Sequence, residues 1–418
     1  MAKADLRSEL TNDQASSRFA DFRSHIFAGS EGAPENSVPL ARVLLATLIT
    51  LLGAALLEWS LYGHGGHDAL SDLPGRYFAW HLSPSALPFI NRPVEYPVVI
   101  GYVAWVWASL LHSCTQFFVA NSIVAVAVIL TISALLRARG AGRIWRWVFA
   151  PMLFIFAFHN WDALALLPAI FGLLAAEAGM DATAGVALAV GASIKLFPGL
   201  FLPPLLIQRW FAGDRRGALR MLLGAAITTL LINLPIALRT PSGWAFAAKF
   251  QGKRSATWGS IWYWIFRTPG ISNVVARNPS HVANLAAGAA LVIALAAISV
   301  LAVRRNLSVV AIGAALLASF ILANKVYSPN YDLWIVPFFV LLPIARRHWI
   351  TFCVGDIGVS LLVFGRFHGL WGTHAVLSFL WIFVGLRVIA LLGLIAFSLK
   401  RHDAEGAVQK SELTSQQL

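Results

Sequence analysis

The chain's 418 residues are 58% hydrophobic and only 12% charged, a balance that excludes an ordinary soluble protein and makes lipid the solvent for most of it. The formal charge of +13 does not argue for nucleic acid. The Arg and Lys residues sit in short clusters between apolar runs and form no single patch interleaved with aromatics.

In chain order, residues 1–38 are polar and mixed in charge, with no apolar core of a signal peptide, and read as a cytoplasmic N-terminal tail. Residues 39–57 follow as an uncleaved membrane anchor. Its uncharged part, 43–57, and the runs at 117–136, 221–238 and 282–303, with the run ending at 388–399, have the length and composition of spanning helices. Basic clusters at 137–146, 209–220, Arg304 with Arg305, Arg346 with Arg347, and Lys400 with Arg401 should share the inner side. Cys114 and Cys353 are too few and too far apart for a disulfide framework or a zinc site.

These clusters thread the chain. The first helix leaves the inside at Glu58 and opens an outer loop over 58–97. A second crossing between that loop and the cluster at 137–146 would put the cluster on the wrong side. The run at 98–111 is also short, roughly 21 Å as helix against a core of ~30 Å, so it reads as a re-entrant or interfacial helix. Crossings are then expected at 117–136, 147–158 and 162–176, at a pair broken near Lys195 and Pro198, and at 217–238. A second outer loop spans 239–281, and 282–303, 308–322, 331–345, 349–364 and 375–399 complete about twelve crossings. The expected fold class is an all-α polytopic membrane protein, with a membrane domain over 39–400 and a disordered cytoplasmic tail at 401–418.

Threading collects the polar outliers on the outer side. Asp68, Asp72, Arg76, Tyr77, Glu95 and Tyr96 lie in the first outer loop, and His159, Asn160 and Asp162 at the next outer turn. Lys195 lies at the broken pair, and Asn324, Lys325, Tyr327, Asn330 and Tyr331 at a later turn. A lysine among apolar residues is costly unless it meets water or a counter-charge. Lys195 and Lys325 therefore either meet a lipid phosphate, or snorkel, or pair with Asp162 or Asp332. Asp72, beside Arg76 and Tyr77, has the chemistry of a general base for a sugar hydroxyl. It also stands where an N-cap would, before Leu73 and Pro74. His64, His67, Asp68 and Asp72 fall in a glycine-rich loop and not on a helix face, so no metal site is expected. Asp356, inside a spanning helix, is either functional or a buried helix contact. The second outer loop carries Lys249, Lys253, Arg254, Arg267 and Arg277 among Trp244, Trp258, Trp262, Tyr263 and Trp264. That pattern suits anionic headgroups or an anionic acceptor, with the aromatics at the interface or on sugar rings.

The order of these pieces resembles the multi-spanning glycosyltransferases of GT-C type, and in particular glycosyltransferase family 87, the polyprenol-phosphate-mannose-dependent α-mannosyltransferases. The resemblance rests on Asp72 with Arg76-Tyr77, on Pro93-Val94-Glu95-Tyr96-Pro97, and on Asn160-Trp161-Asp162. It continues through Gly191 to Pro198 and Asn324 to Tyr331. It implies an inverting transfer of a hexose, most commonly mannose, from a polyprenyl-phosphate sugar to a hydroxyl of an envelope glycolipid or polysaccharide. The site would face the periplasmic side of the plasma membrane, with no nucleotide sugar and no obligatory metal or other cofactor. Asp72 would be the catalytic acid residue of the first outer loop, with Glu58, Asp68 and Glu95 as the other acids in reach. Lys195, Lys325, Arg76 and Tyr327 would hold the donor phosphate. Tyr77, Glu95, Tyr96, His159, Asn160, Asp162 and Tyr331 would line the substrate site.

The rival reading is a polyprenyl-phosphate carrier, flippase or small-molecule transporter, motivated by the break at Pro198 and by Lys195 and Asp356. Against it, no second broken helix stands at a matching position. A scaffolding protein would not need lysines at membrane depth.

Overall fold

The computed structural model describes residues 38–61, 70–272 and 279–400, which contain helices and loops, two isolated bridges and no strand. In chain order the longer helices begin with α1 (Leu40–Leu61), α2 (Leu73–Trp80), α3 (Val98–Leu110), α4 (Cys114–Gly140), α5 (Asp162–Glu177), α6 (Asp181–Ile194) and α7 (Leu202–Phe211). They continue with α8 (Arg215–Arg239), α9 (Phe246–Lys253), α10 (Pro279–Arg305), α11 (Val309–Ala323), α12 (Asp332–Leu341), α13 (Arg346–Phe367) and α14 (Thr373–Ser398). The two expected tails lie, but for Val38, outside the described residues, as do His64, His67, Asp68 and Arg277.

Among the described residues six helices, α1, α4, α8, α10, α13 and α14, are long and apolar enough to cross a membrane. They turn broad apolar faces outward: Leu231, Leu238, Ile293 and Leu361 are all exposed, as a lipid-facing surface requires. The shorter α5, α6, α11 and α12 form the interior. Leu166, Ile170, Ile312, Leu316, Val336 and Phe338 are completely buried there. Lipid tails are as apolar as these side chains, so close packing holds the helices together more than water exclusion does. Small residues permit it. A Cβ on Gly224 of α8 would lie 2.5 Å from the Ala182 carbonyl oxygen of α6, and one on Gly185 would run into the Met221 carbonyl.

Two stretches differ from the sequence expectation. Residues 147–158 are not one helix but two short ones, Trp145–Val148 and Pro151–Phe156. The proline lacks the N–H needed to continue the helix and starts a new one at its N-terminus. The helix expected over 331–345 ends at Leu341, after Pro337. The break around Lys195 is present: α6 stops at Ile194, Lys195 is extended, and a 3-10 turn over Phe197–Phe201 leads into α7.

The basic clusters gather at one end of the bundle. Arg139 pairs with Glu177 at 2.8 Å and Arg209 with Asp181 at 3.1 Å. Arg143 and Arg146 donate to the carbonyls of Val340 and Ile344. The start of α5 and the end of α6 therefore lie at the opposite end, about 24 Å away along α5.

Candidate active site

At that opposite end Asn160 stands two residues before α5, its Oδ1 accepting from the Asp162 N–H at 2.9 Å. This places Asp162 in the first turn, where the helix dipole favours an anion, and Lys195 sits at the C-terminus of α6, where it favours a cation. The two form an ion pair with Asp162 completely buried. Asn330 Nδ2 donates to the other Asp162 oxygen at 2.5 Å. The Lys195 ammonium also lies over the rings of Tyr96, Tyr331 and Trp334 at 5.6, 5.9 and 5.2 Å, an arrangement that stabilises a partly desolvated cation.

The first loop closes over this pair. Ser71 Oγ donates to the Phe158 and His159 carbonyls, and the Asp72 N–H donates to the His159 carbonyl at 2.8 Å. Asp72 occupies the N-cap position of α2, yet its side chain makes no capping bond; Ser71 Oγ accepts from the Leu73 N–H instead. The Asp72 carboxylate is left 3.9 Å from both Arg76 Nη2 and His159 Nε2. His159 Nδ1 bonds the Leu70 carbonyl. Glu95 is fully engaged, by Arg76 on one oxygen and by Trp80 Nε1 at 2.7 Å on the other. Trp80 stacks on Trp161 at 5.6 Å, and the edge of Tyr96 meets both rings.

Electrostatics tie these groups together. Burial alone would lower the Arg76 guanidinium, but Asp72, Tyr96 and Glu95 hold it above its ordinary value. Burial, and next Asp72, push the Tyr96 phenol well above its usual range, so it stays a neutral hydrogen-bond donor. Burial pushes Tyr331 up to about 12.

The three carboxylates differ in what is open to a substrate. Asp162 and Glu95 have both oxygens in short contacts, with side chains 0% and 10% exposed, whereas Asp72 is 40% exposed and held only by long contacts. A general base must reach a solvent-borne hydroxyl and keep a free lone pair, and Asp72 alone of the three does so.

Starting two residues after Tyr96, an apolar groove of about 480 Å³ lies between α3 and α8. Val98, Val99, Tyr102, Ile232, Pro235 and Ile236 are among its walls.

The family model described as glycosyltransferase family 87 matches residues 95–329, more than half of the sequence. The chain belongs to glycosyltransferase family 87. No curated protein matches it. As a family 87 protein it is a membrane-embedded glycosyltransferase, and its substrates are a sugar donor and an acceptor. The matched region takes in Glu95, Tyr96, the Asn160 to Asp162 turn, Lys195 and Lys325, and leaves Asp72, Arg76 and Tyr331 outside it.

Within this glycosyltransferase, Asp72, Arg76, Glu95, Tyr96, His159, Asn160, Asp162, Lys195 and Tyr331 converge. Three other candidates from the sequence are held elsewhere. Tyr77 packs on Phe117 at 5.3 Å. Lys325, 6% exposed, donates to the main-chain carbonyls of Gly252 and Arg254, and burial and Arg254 lower its pKa. Tyr327 is buried and donates to Asp332 while accepting from Arg387 Nε at 3.1 Å, so its proton is already committed. Glu58 is buried in α1 at 1% exposure. Arg387 escaped the sequence reading, although it is the one charged residue in the 26 of α14. It is completely buried, and its Nε lies 3.0 Å from Asp332. Asp356, also completely buried, belongs to the same group. Trp80 and Trp334 also escaped, because membrane-interface tryptophans look alike in sequence.

Proposed function

We propose that the protein transfers a hexose, most commonly mannose, from a polyprenyl-phosphate sugar to a hydroxyl of an envelope glycolipid or polysaccharide, on the periplasmic face of the plasma membrane. The observation that carries this reading is the exposed Asp72 carboxylate, in one cluster with Tyr96, two residues beyond which an apolar groove begins. The acceptor hydroxyl gives its proton to Asp72 as its oxygen attacks the anomeric carbon. The bond from that carbon to the phosphate oxygen breaks, and its electron pair leaves with polyprenyl phosphate. One displacement inverts the anomeric centre. The half-buried rings of Tyr96 and Tyr331 are the ones a sugar can reach, with Trp80 and Trp161 buried and stacked on each other against Tyr96. The groove walls suit an isoprenoid chain entering from the bilayer. The lipid-linked sugar is already activated, so the scheme uses no further cofactor and no obligatory metal.

The same reading takes the chain across the membrane about twelve times. The six long helices, the short interior α5, α6, α11 and α12, and the broken segments 145–156 and 197–211 make up that number. Helix α3 is then a re-entrant or interfacial piece, its 13 residues being too short for a ~30 Å core. Short helices fit the interior because their ends meet protein and the polar site, not lipid. The basic end lies inside, as the positive-inside rule requires, and the site outside.

The deciding experiment is transfer of radiolabelled sugar from polyprenyl-phosphate mannose, and from other polyprenyl-phosphate sugars, to a membrane lipid extract by the purified protein. Label in a new glycolipid, lost with Asp72→Asn, supports the proposal. Absence of transfer from every such donor sinks it in favour of a carrier.

A further inference from the structure

A phosphate in this site needs a cation that is not already neutralised, and the two cations of the cluster are both spent. Lys195 is paired with buried Asp162, and Arg76 lies against Glu95 and near Asp72. Three carboxylates against two cations leave the cluster negative before any donor arrives. A phosphodiester brings one more negative charge, and after transfer the departing phosphate monoester carries nearly two. Neither is held without another positive group.

The structure supplies one from the second loop. Arg254 is partly buried, forms no ion pair among the described residues, and has one long side-chain hydrogen bond, 3.4 Å to Gln251 Oε1. Its main chain is fixed firmly. Lys325 Nζ donates to the carbonyls of Arg254 and Gly252, Asn284 Nδ2 donates to Gly252 at 2.8 Å, and the Thr257 N–H donates to the Lys325 carbonyl at 3.0 Å. This anchor is the start of the segment whose far end carries Asn330 onto Asp162 and Tyr331 beneath Lys195. One short stretch of chain, 325–331, thus runs from the Arg254 anchor to the acid cluster. The charges of Arg254, Asp162 and Asp72 all act on the Tyr331 phenol, the first opposing and the other two reinforcing its rise, so they share one neighbourhood.

We propose that Arg254 is the residue that binds the donor phosphate and receives the charge that develops on it as the sugar leaves, with buried Lys325 as the positioning residue that sets its place. A guanidinium can meet two phosphate oxygens at once, which a lysine cannot. This assignment rests on the polyprenyl-phosphate reading above.

The test measures steady-state transfer and direct binding of polyprenyl monophosphate by the wild type, Arg254→Gln, Arg254→Lys and a surface control, Arg366→Gln. Arg254→Gln is expected to weaken polyprenyl monophosphate binding and raise the donor KM by roughly 10- to 100-fold, with a lower kcat and an unchanged acceptor KM. Arg254→Lys should recover part of the loss, and Arg366→Gln should behave as wild type. An Arg254→Gln protein with wild-type donor KM and monophosphate affinity, in a preparation that transfers sugar, overturns the Arg254 assignment alone. A wild type that neither transfers from nor binds any polyprenyl phosphate overturns the donor class, and the assignment with it.

Discussion

The ammonium of Lys195 and the carboxylate of Asp162 form an ion pair across the gap between the end of α6 and the start of α5. The pair lies between a lipid-facing shell and a polar site, so each charge depends on the other. Removing one leaves the other buried and uncompensated. Lys195→Met should therefore lower stability by about 3 kcal/mol or more. The double variant Lys195→Met with Asp162→Asn should regain part of that. Thermal unfolding in detergent for the full cycle checks this, and strictly additive losses would show that the two charges are not coupled.

Asp72 carries a different kind of dependence. Its side chain makes no capping bond and only long contacts, so Asp72→Asn removes a proton acceptor with little cost to the fold. The expected loss is roughly 10²- to 10⁴-fold in kcat, with the donor KM nearly unchanged. Near-normal turnover would move the base to another acid of the first loop.

Arg387 and Asp332 are both completely buried, and Tyr327 bonds to each. Arg387→Met should cost about 3–5 kcal/mol, since it strands a carboxylate among apolar residues. Arg387→Lys should restore little, because one ammonium cannot span Asp332 and Tyr327 as the guanidinium does. Comparing the melting temperatures of the two variants decides the point: a lysine protein as stable as wild type would reduce the role of Arg387 to bare charge.

Tyr331 sets a pH dependence. Burial, with Asp162 and Asp72 adding to it against Arg254, holds its phenol at about 12 in the folded protein, against about 10 when unfolded. Between these values the unfolded state binds fewer protons, so stability falls as pH rises. The contribution is complete below about pH 10 and gone above about pH 12. Tyr331→Phe should flatten this part of the curve of unfolding midpoint against pH, and an identical slope in both proteins would discount the residue.

Much of this was legible in the sequence. Apolar runs without charge imply spanning helices, because an unpaired backbone or charge cannot face lipid, and long runs such as 117–136 and 282–303 became α4 and α10. The break at Lys195 followed from Pro198, and the turns at Asn160 and Asn324 could be placed because polar residues stand out sharply between apolar ones. Tertiary structure decided what those polar residues do. Lys195 and Lys325 look equivalent in sequence, yet one pairs with a buried aspartate and the other holds two carbonyls of a distant loop. Tyr327 and Tyr331, four residues apart, belong to different networks, one with Arg387 and the other beneath Lys195. Composition and periodicity report the solvent that each segment meets, which is a local property. Which charges neutralise one another, and which carboxylate is left free for chemistry, depends on distances between segments that only packing brings together.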